Sequence, residues 1–263
     1  MDPIIPSQEK ISQALGLGIY LNDSIELEFK TTDIVTVPIP HKVNQIDCYN
    51  SEWASQNEDS IVLTEYADIK RIDQRAFFAS VKFSIYIISS LLLDKELPRT
   101  YLFRFTDPQT RVDYPHVIQL AWGEGIVLLQ RSLDYEPDKI SKTYIANVRS
   151  GDILVIPPKY DHLIINKLPN SPLVFSSLSP QNVPKNFEMS NFRGGSYLFN
   201  TSGNIEFNSH YSEIPPLKPM SPPSQIFQGL KRGTPIYTTV TSSPESFFDF
   251  FDDPNSISYQ GLF

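Results

Sequence analysis

The sequence predicts an all-β domain, and three observations support this prediction. Short apolar runs, such as residues 153–156 and 162–165, are bounded by prolines and turn residues, as strands are. Aromatic residues make up 12% of the chain, and aromatic and β-branched side chains favour strands. Few segments show the period of an amphipathic helix. A core of strands joined by turns is therefore expected.

Length and charge limit the class of protein. A chain of 263 residues, 40% of them hydrophobic, is long enough for one sizeable domain with extensions. The net charge of −8 and the pI of about 5.0 do not provide the basic surface with which proteins bind nucleic acids or anionic membranes. We therefore expect no nucleic-acid partner and no membrane partner.

Three further features predict a cytoplasmic protein. The single cysteine, Cys48, excludes an intramolecular disulfide and suits a reducing compartment. The first residues lack the basic region and apolar run of a secretory signal. The most apolar segment, residues 77–93, is interrupted by serines and a lysine, and its alternation of Phe83, Ile85 and Ile87 favours a strand over a membrane span.

Residues 1–60 are predicted to form an N-terminal extension that packs on the main domain. Ser7 is a candidate N-cap for a short amphipathic helix that ends near Gly16. Short strands are predicted over residues 25–29 and 34–39, because both are apolar runs with β-branched residues.

Residues 61–207 are predicted to form the main β domain. Its candidate strands before the Gly-Glu-Gly turn at residues 123–125 cover residues 61–66, 77–93, 100–106 and 116–121. Pro157 and Pro158 interrupt the second half, because proline has no N–H with which to continue a β ladder. His162 therefore begins the next strand at a sheet edge, with its side chain directed into a cavity or out of it.

Residues 208–263 are predicted to form a proline-rich C-terminal arm that covers the main domain or a partner subunit. Prolines stiffen residues 214–219 into an extended segment. A late strand is predicted over residues 233–237, and Pro244 begins a short acidic helix that runs through Asp252.

Three stretches of the chain carry a resemblance to a known family. Residues 150–175 have the sequence SGDILVIPPKYDHLIINKLPNSPLVF. They follow the pattern pGdilyvPPxxaHxxvNxGdePlvfl of the cupin-type glucose-6-phosphate isomerases of archaea and some bacteria. Residues 115–130 resemble the family's PEvyxvlxGeGlxllq, and residues 191–197 resemble its krGGaay. The resemblance extends from residue 61 to about residue 207. It implies a double-sheet jelly-roll (cupin) barrel and a homodimer formed by pairing or exchange of edge strands.

The resemblance also implies a metal site. Isomerisation moves a proton between C1 and C2 and stabilises an enediolate oxygen, which calls for a base and an electrophile such as a divalent metal. The family's ligands are the histidines of GHxH, a glutamate seven residues later, and the histidine of PPxxxH. Here the last ligand is His162, and His116 stands at the glutamate position. Counting back seven and nine residues from His116 gives Gln109 and Asp107.

The implied ligands of iron, manganese, nickel or zinc are thus His162, His116, Asp107 and Gln109. Glutamine binds these metals poorly, and Pro108 stiffens the strand where ligands are expected to alternate. Each residue also has a structural interpretation. His162 is alternatively a strand-edge histidine bonded to a backbone carbonyl, His116 a neutral core residue, and Asp107 an ordinary turn residue. His41 and His210 are expected to be solvated.

Other positions depart from the family's pattern. Ile118 and Ser179 stand at its tyrosine positions, and residues 185–187 read Lys-Asn-Phe where the family has HDY. The resemblance therefore supplies no general base. Lys185 and Arg104 remain candidates for binding the phosphate of a sugar phosphate, because cationic side chains bind phosphate through charge-assisted hydrogen bonds.

Two functions are consistent with these residues. The first is a diverged, metal-assisted glucose-6-phosphate isomerase that interconverts glucose 6-phosphate and fructose 6-phosphate in glycolysis or gluconeogenesis. The second is a non-catalytic cupin that has lost the metal site and serves as a sugar-phosphate-binding or structural module. Convergence of Asp107, His116 and His162 would favour the enzyme, and divergent side chains would favour the second function.

Overall fold

Strands dominate the structure, as the sequence predicts. The computed structural model describes residues 4–34, 36–46, 50–222, 229–242, 249–259 and 262, and every structural statement below concerns these residues. The strands are β1 (Ile19–Leu21), β2 (Leu27–Phe29), β3 (Pro38–Lys42), β4 (Ile61–Tyr66), β5 (Val81–Ile88), β6 (Arg104–Thr106), β7 (Asp113–Tyr114), β8 (His116–Trp122), β9 (Glu124–Leu133), β10 (Glu136–Arg149), β11 (Ile153–Ile156), β12 (Asp161–Asn166), β13 (Leu173–Pro180), β14 (Lys185–Asn186), β15 (Tyr197–Phe199), β16 (Ile205–Phe207) and β17 (Lys218–Met220).

Two sheets form the jelly roll. The six-stranded sheet has the order β11-β8-β13-β5-β4-β3, and the four-stranded sheet has the order β12-β9-β10-β17. From β8 to β13 the chain passes from one sheet to the other between β8 and β9, between β10 and β11, between β11 and β12, and between β12 and β13. Their inner faces share an apolar core that includes Leu63, Tyr86, Leu129, Ile164 and Phe175. The predicted all-β cupin fold is therefore confirmed.

Alternation along β8 divides its side chains between two environments. Ile118 and Leu120 belong to the core between the sheets. Val117 and Ala121 belong to a second core, which the N-terminal and C-terminal segments complete on the outer face. Because successive side chains of a strand point to opposite faces, His116 lies on the inner side with Ile118.

The helices lie outside the barrel. They are α1 (Gln8–Leu15), α2 (Ser51–Gln56), α3 (Ile236–Ser242) and α4 (Asp249–Asp252). In the described part of the chain, no helix has the length and apolar character needed to cross a membrane.

Helix α1 has the bounds that the sequence predicts. Ser7 precedes it, and Gly16 ends it with a φ of 69°, a left-handed conformation that glycine adopts without a steric cost. Ile11 and Leu15 are buried in the outer core. Gly16 also approaches the C-terminal arm so closely that a Cβ at this position would lie 2.5 Å from Thr238 Oγ1.

The C-terminal arm contacts both sheets: β17 pairs with β10 of the four-stranded sheet, and residues 230–240 pack on the outer face of the six-stranded sheet. Gln119 Nε2 donates to the Thr234 carbonyl (2.8 Å), and Gln119 Oε1 accepts from the Ile236 N–H (2.8 Å). The predicted strand over residues 233–237 is wrong. Pro235 suits the first turn of a helix because it needs no N–H there, and α3 begins directly after it. Of the predicted helix from residue 244, residues 244–248 lie outside the described residues, and α4 covers the remainder.

Strand β3 is one edge of the six-stranded sheet. Pro38 pairs with Tyr66 of β4, and Pro40 pairs with Thr64. Prolines in edge strands direct the nitrogen that lacks a hydrogen away from the ladder. Ile39, between them, is 45% exposed.

Candidate functional site

Two of the predicted ligands, His116 and His162, meet inside the barrel. His116 begins β8 directly after Pro115, and His162 lies on β12, the edge strand of the opposite sheet. Each residue is 1% exposed. The two rings are joined by a hydrogen bond of 2.8 Å between His116 Nδ1 and His162 Nε2. The structure therefore brings together the two histidines that the resemblance identifies.

Both imidazoles are neutral at physiological pH. Burial lowers the pKa of His162 to about 3, and the positive charge of Lys185 acts in the same direction. Burial also lowers the pKa of His116 well below its ordinary value, with further contributions from His162 and Lys185. In a neutral pair, one ring donates its only N–H and the other accepts it.

Two phenylalanine rings cover the histidine pair. The Phe103 ring lies 4.4 Å from the His162 ring, between centroids, and the Phe105 ring lies 5.0 Å from the His116 ring. Phe103 N donates to the His162 carbonyl (3.2 Å), and His162 N donates to the Phe103 carbonyl (3.0 Å). This pairing places Phe103 and His162 on the same face. Phe105, two residues further along the strand, shares that face.

Asp107 and Gln109 do not join the histidine pair, which corrects the predicted ligand set. Strands β6 and β7 form a hairpin, and residues 107–112 connect them. Asp107 Oδ1 accepts the backbone N–H groups of Gln109 (2.7 Å) and Thr110 (3.1 Å), which lowers the pKa of Asp107. Gln109 is exposed. These two residues shape the turn.

The physical reason for this difference is the length of the hairpin. Counting back from His116 assumes the spacing of the family's own motif. Here the two inward-facing residues of the preceding segment are Phe103 and Phe105. Phe105 lies eleven residues before His116, whereas the motif places its second histidine seven residues before the glutamate. The two phenylalanines have the same one-residue separation as the two histidines of GHxH.

Lys185 forms a part-buried ion pair that sequence reasoning did not find. Its Nζ lies 2.6 Å from Glu65 Oε2, and Glu65 Oε1 accepts a hydrogen bond from the Tyr86 hydroxyl (2.8 Å). His41 Nε2 lies 3.5 Å from Glu65 Oε2. Burial alone would raise the pKa of Glu65, but hydrogen bonding from His41 and the charge of Lys185 outweigh it and lower the pKa to about 2.

The same lysine packs on aromatic rings. Lys185 Nζ lies 5.0 Å from the centroid of the Tyr86 ring and 5.4 Å from that of Phe103. Burial lowers the pKa of Lys185, although Glu65 opposes this effect. The charge of Lys185 is thus balanced within the protein. The expectation of a solvated His41 is wrong, because its Nδ1 also lies 3.0 Å from the Tyr101 hydroxyl.

Arg104, the other predicted phosphate ligand, is surrounded by carboxylates. Its guanidinium nitrogens lie 2.9 Å from Asp161, 3.3 Å from Asp113 and 3.1 Å from Glu188. Burial raises the pKa of Asp161 to about 6 even though Arg104 acts against the shift. These three acids satisfy the guanidinium and repel a phosphate, so Arg104 does not provide a free phosphate site.

Comparison with known proteins identifies the family. The sequence model of the family described as glucose-6-phosphate isomerase (GPI) matches residues 47–215, more than half of the chain. The chain belongs to the glucose-6-phosphate isomerase family. No curated protein matches it.

Solved structures to which the chain is similar include a vicilin and two cupin-2 proteins. Vicilin from Corylus avellana (hazelnut) is 12% identical, with a TM-score of 0.36, over 60% of this chain and 36% of vicilin. A cupin 2 conserved barrel domain protein from Rhodopseudomonas palustris is 13% identical, with a TM-score of 0.34, over 58% and 77% of the two chains. A cupin-2 domain protein from Rhodospirillum rubrum is 11% identical, with a TM-score of 0.35, over 63% and 85%. The chain thus spans about a third of vicilin.

The residues of this family member do not fit the family's metal. Within the described part of the chain, no group of three histidine, cysteine, aspartate or glutamate side chains converges as metal ligands would. His116 Nε2 and His162 Nδ1 are buried there without hydrogen-bond partners, but they are the ring nitrogens that do not face each other, and two imidazoles make an incomplete ligand set. The facing side chains are phenyl rings, which donate no lone pair to iron, manganese, nickel or zinc. The ammonium of Lys185 lies 5.4 Å from the centroid of the Phe103 ring, and its positive charge would repel a metal cation.

Aromatic packing fills the interior of this barrel. Tyr86 of β5 and Phe175 of β13 stack with centroids 4.8 Å apart and an interplanar angle of 8°. Ile118, at one of the family's tyrosine positions, is fully buried in the same core. The part of the barrel in which the resemblance places substrate-holding residues is therefore occupied by this chain's own side chains.

Proposed function

We propose that this member of the glucose-6-phosphate isomerase family is a non-catalytic cupin that serves as a structural module. The observation that carries the proposal is the contact of Phe103 and Phe105 with the His116–His162 pair. Two rings without lone pairs occupy the strand positions that face the histidines, so the barrel keeps the family's fold without its ligand set.

The chemistry of isomerisation supports this proposal. A base must remove a proton from carbon, and an electrophile must stabilise the enediolate. Glu65 is the carboxylate beside this region, but its pKa of about 2 and its ion pair with Lys185 make it a weak base. His116 Nδ1 and His162 Nε2 are bonded to each other, and the other two ring nitrogens are buried, so the pair exposes no basic nitrogen at the protein surface.

The environment of the cations also supports a module that does not bind sugar phosphate in the barrel. Lys185 is neutralised by Glu65, and Arg104 is neutralised by Asp161 and two further acids. A phosphate would have to break the pairs with Glu65 and Asp161, which would leave a buried carboxylate without its cation.

The family match favours the opposite function, a metal-assisted isomerase that uses His116 and His162. The experiment that separates the two is a turnover assay of fructose 6-phosphate with added iron, manganese, nickel and zinc in turn, together with the metal content of untagged protein. His162→Leu is the matched control, because it removes one of the two candidate ligands.

We expect no turnover above background with any of the four ions, and the same result for wild type and His162→Leu. Metal-dependent turnover that His162→Leu abolishes would overturn the proposal. Circular dichroism of both proteins checks that the barrel is folded in each assay.

A further inference from the structure

A cavity of about 430 Å³ lies between the Pro157-Pro158 turn, strand β10 and the segment of residues 254–259. Its size falls within the range of small-molecule pockets. Tyr144, on its wall, pairs with Leu129 of β9, and Leu129 pairs with His162 of β12. Paired residues share a face, so the cavity adjoins the inner face of the four-stranded sheet at the mouth of the barrel.

The charge of this cavity is positive although the chain has a net charge of −8. Lys142 and Lys159 line it, and both are exposed. Arg131, the neighbour of Lys142 across the β9–β10 ladder, adds a third cation close to Tyr160. Of the lining residues in the described chain, none carries a carboxylate. The nearby Asp253 accepts the Asn255 N–H (2.9 Å) in the turn that follows α4.

Aromatic side chains provide the apolar part of the wall. The rings of Tyr144 and Tyr160 lie 6.1 Å apart at an angle of 57°, and Tyr259 lines the cavity from the C-terminal segment. Burial raises the pKa of Tyr160 to about 12 and also raises the pKa of Tyr259, so both phenols stay protonated. The Tyr160 hydroxyl is hydrogen-bonded to Tyr144, so the tyrosines contribute flat apolar ring surface to the wall.

The backbone of the turn supports a role for Lys159. Its φ is 72°, in the left-handed region that non-glycine residues rarely adopt. Two prolines precede it and restrict the turn, so Lys159 is held in this conformation at the rim of the cavity. Strained residues of this kind cluster at ligand sites.

We propose that this cavity binds a small anionic aromatic molecule, of the size of a nucleoside monophosphate, with its ring against the tyrosines and its anionic group at Lys142 and Lys159. The site is separate from the histidine pair and uses none of the residues on which the proposed loss of catalysis rests. A cation pair beside a flat apolar wall discriminates such a ligand from a neutral ring and from a bare anion.

Calorimetric titration tests the proposal with three probes: adenosine 5′-monophosphate, adenosine and inorganic phosphate. The variant is Lys142→Ala/Lys159→Ala. The control is Lys30→Ala/Lys231→Ala, which removes the same charge from two exposed lysines outside the cavity. Circular dichroism checks the folding of both variants. A second variant, Tyr144→Leu, removes a ring without changing the charge.

Saturable binding of the monophosphate, tighter than that of adenosine or phosphate, is expected in the wild type and in the control. In Lys142→Ala/Lys159→Ala its affinity should fall by about tenfold or more, and in Tyr144→Leu it should fall by a smaller factor. No saturable binding of the monophosphate, or an equal loss in the control, would overturn the assignment. If inorganic phosphate bound as tightly as the monophosphate, the proposed contact between the ligand's ring and the tyrosines would be wrong.

Discussion

His116 Nδ1 and His162 Nε2 lie 2.8 Å apart in the core of the jelly roll, so each imidazole is the hydrogen-bond partner of the other. The resemblance assigns these two positions to metal ligands. In this chain they form an internal polar contact enclosed by Phe103 and Phe105. The pair therefore contributes to the stability of the core, and its contribution is measurable.

The two single substitutions of the histidine pair should together cost more unfolding free energy than the double substitution. His162→Leu leaves His116 Nδ1 buried without a partner, which typically costs about 1–3 kcal/mol of unfolding free energy. His116→Leu/His162→Leu removes both polar groups, so its cost should be clearly smaller than the sum of the two single substitutions. Urea unfolding of the four proteins gives these values. Simple additivity would contradict the pairing.

The histidine pair should also destabilise the protein at acidic pH. Both pKa values are depressed in the folded state, that of His162 to about 3, whereas unfolded histidine titrates near pH 6.5. The unfolded state therefore binds more protons as the pH falls below about 6.5, and stability drops by roughly 1.4 kcal/mol per pH unit for each histidine.

Proton NMR of the imidazoles checks this directly. The resonances that disappear in His116→Leu and His162→Leu should keep the chemical shifts of neutral rings from about pH 8 to about pH 5. Titration of either ring with a midpoint near 6.5 would show that it is solvated and not buried in the pair.

Lys185 and Glu65 should behave as a coupled unit. Lys185→Met leaves the Glu65 carboxylate buried without its cation, which typically costs about 3–5 kcal/mol. Glu65→Gln/Lys185→Met removes both charges and should recover a large part of that loss in the same urea assay.

The exposed pair of Lys42 and Asp59 provides the control. Its ionic atoms are also 2.6 Å apart, but the two side chains are 45% and 83% exposed. Lys42→Met should cost much less than Lys185→Met because solvent screens the pair. Equal losses in Lys42→Met and Lys185→Met would refute the role of burial.

Histidines in place of Phe103 and Phe105, together with a carboxylate at residue 116, should give this barrel a metal site. The variant Phe103→His/Phe105→His/His116→Glu would present three imidazoles and one carboxylate around a common centre, a donor set that suits first-row transition metals. Cobalt titration followed by visible absorption should show binding of about one ion, in contrast to the wild type. The matched control is Asp107→His/Gln109→His/His116→Glu, built on the spacing count. Tighter metal uptake by the control would restore residues 107 and 109 as the ligand positions.

Gln119 should hold the C-terminal arm on the sheet. Gln119→Leu loses the two hydrogen bonds to Thr234 and Ile236 and leaves their backbone groups unpaired, at a cost of about 1–3 kcal/mol. Amide hydrogen exchange in residues 234–242 should accelerate more than exchange in β5. A uniform change in both segments would indicate global destabilisation and not local release of the arm.

Local signals made part of the fold predictable. Ser7 directly precedes α1 and Gly16 directly follows it, so the bounds of this helix can be predicted from neighbouring residues alone. Residues 233–237 were harder, because their apolar and β-branched side chains suit either a strand or a buried helix. Contacts on the outer face of the six-stranded sheet accompany the helix, such as that of Tyr237 with Phe83 of β5.

The site was less predictable, because its geometry depends on distant parts of the chain. Motif spacing identified His116 and His162, but it failed at Phe103 and Phe105 because the length of the intervening hairpin differs from the motif. The ion pair joins Glu65 to Lys185 across 120 positions of sequence. Its existence is determined by the register of several strands, and no local pattern encodes it.

The prolines of β3 have a consequence for assembly. Pro38 and Pro40 lack two backbone N–H groups that would otherwise point outward from this edge of the six-stranded sheet. A strand of another molecule therefore cannot form a regular ladder with β3. The protein thereby resists growth into a continuous intermolecular sheet along this margin. The predicted homodimer would need a different margin, or contacts through side chains such as the exposed Ile39.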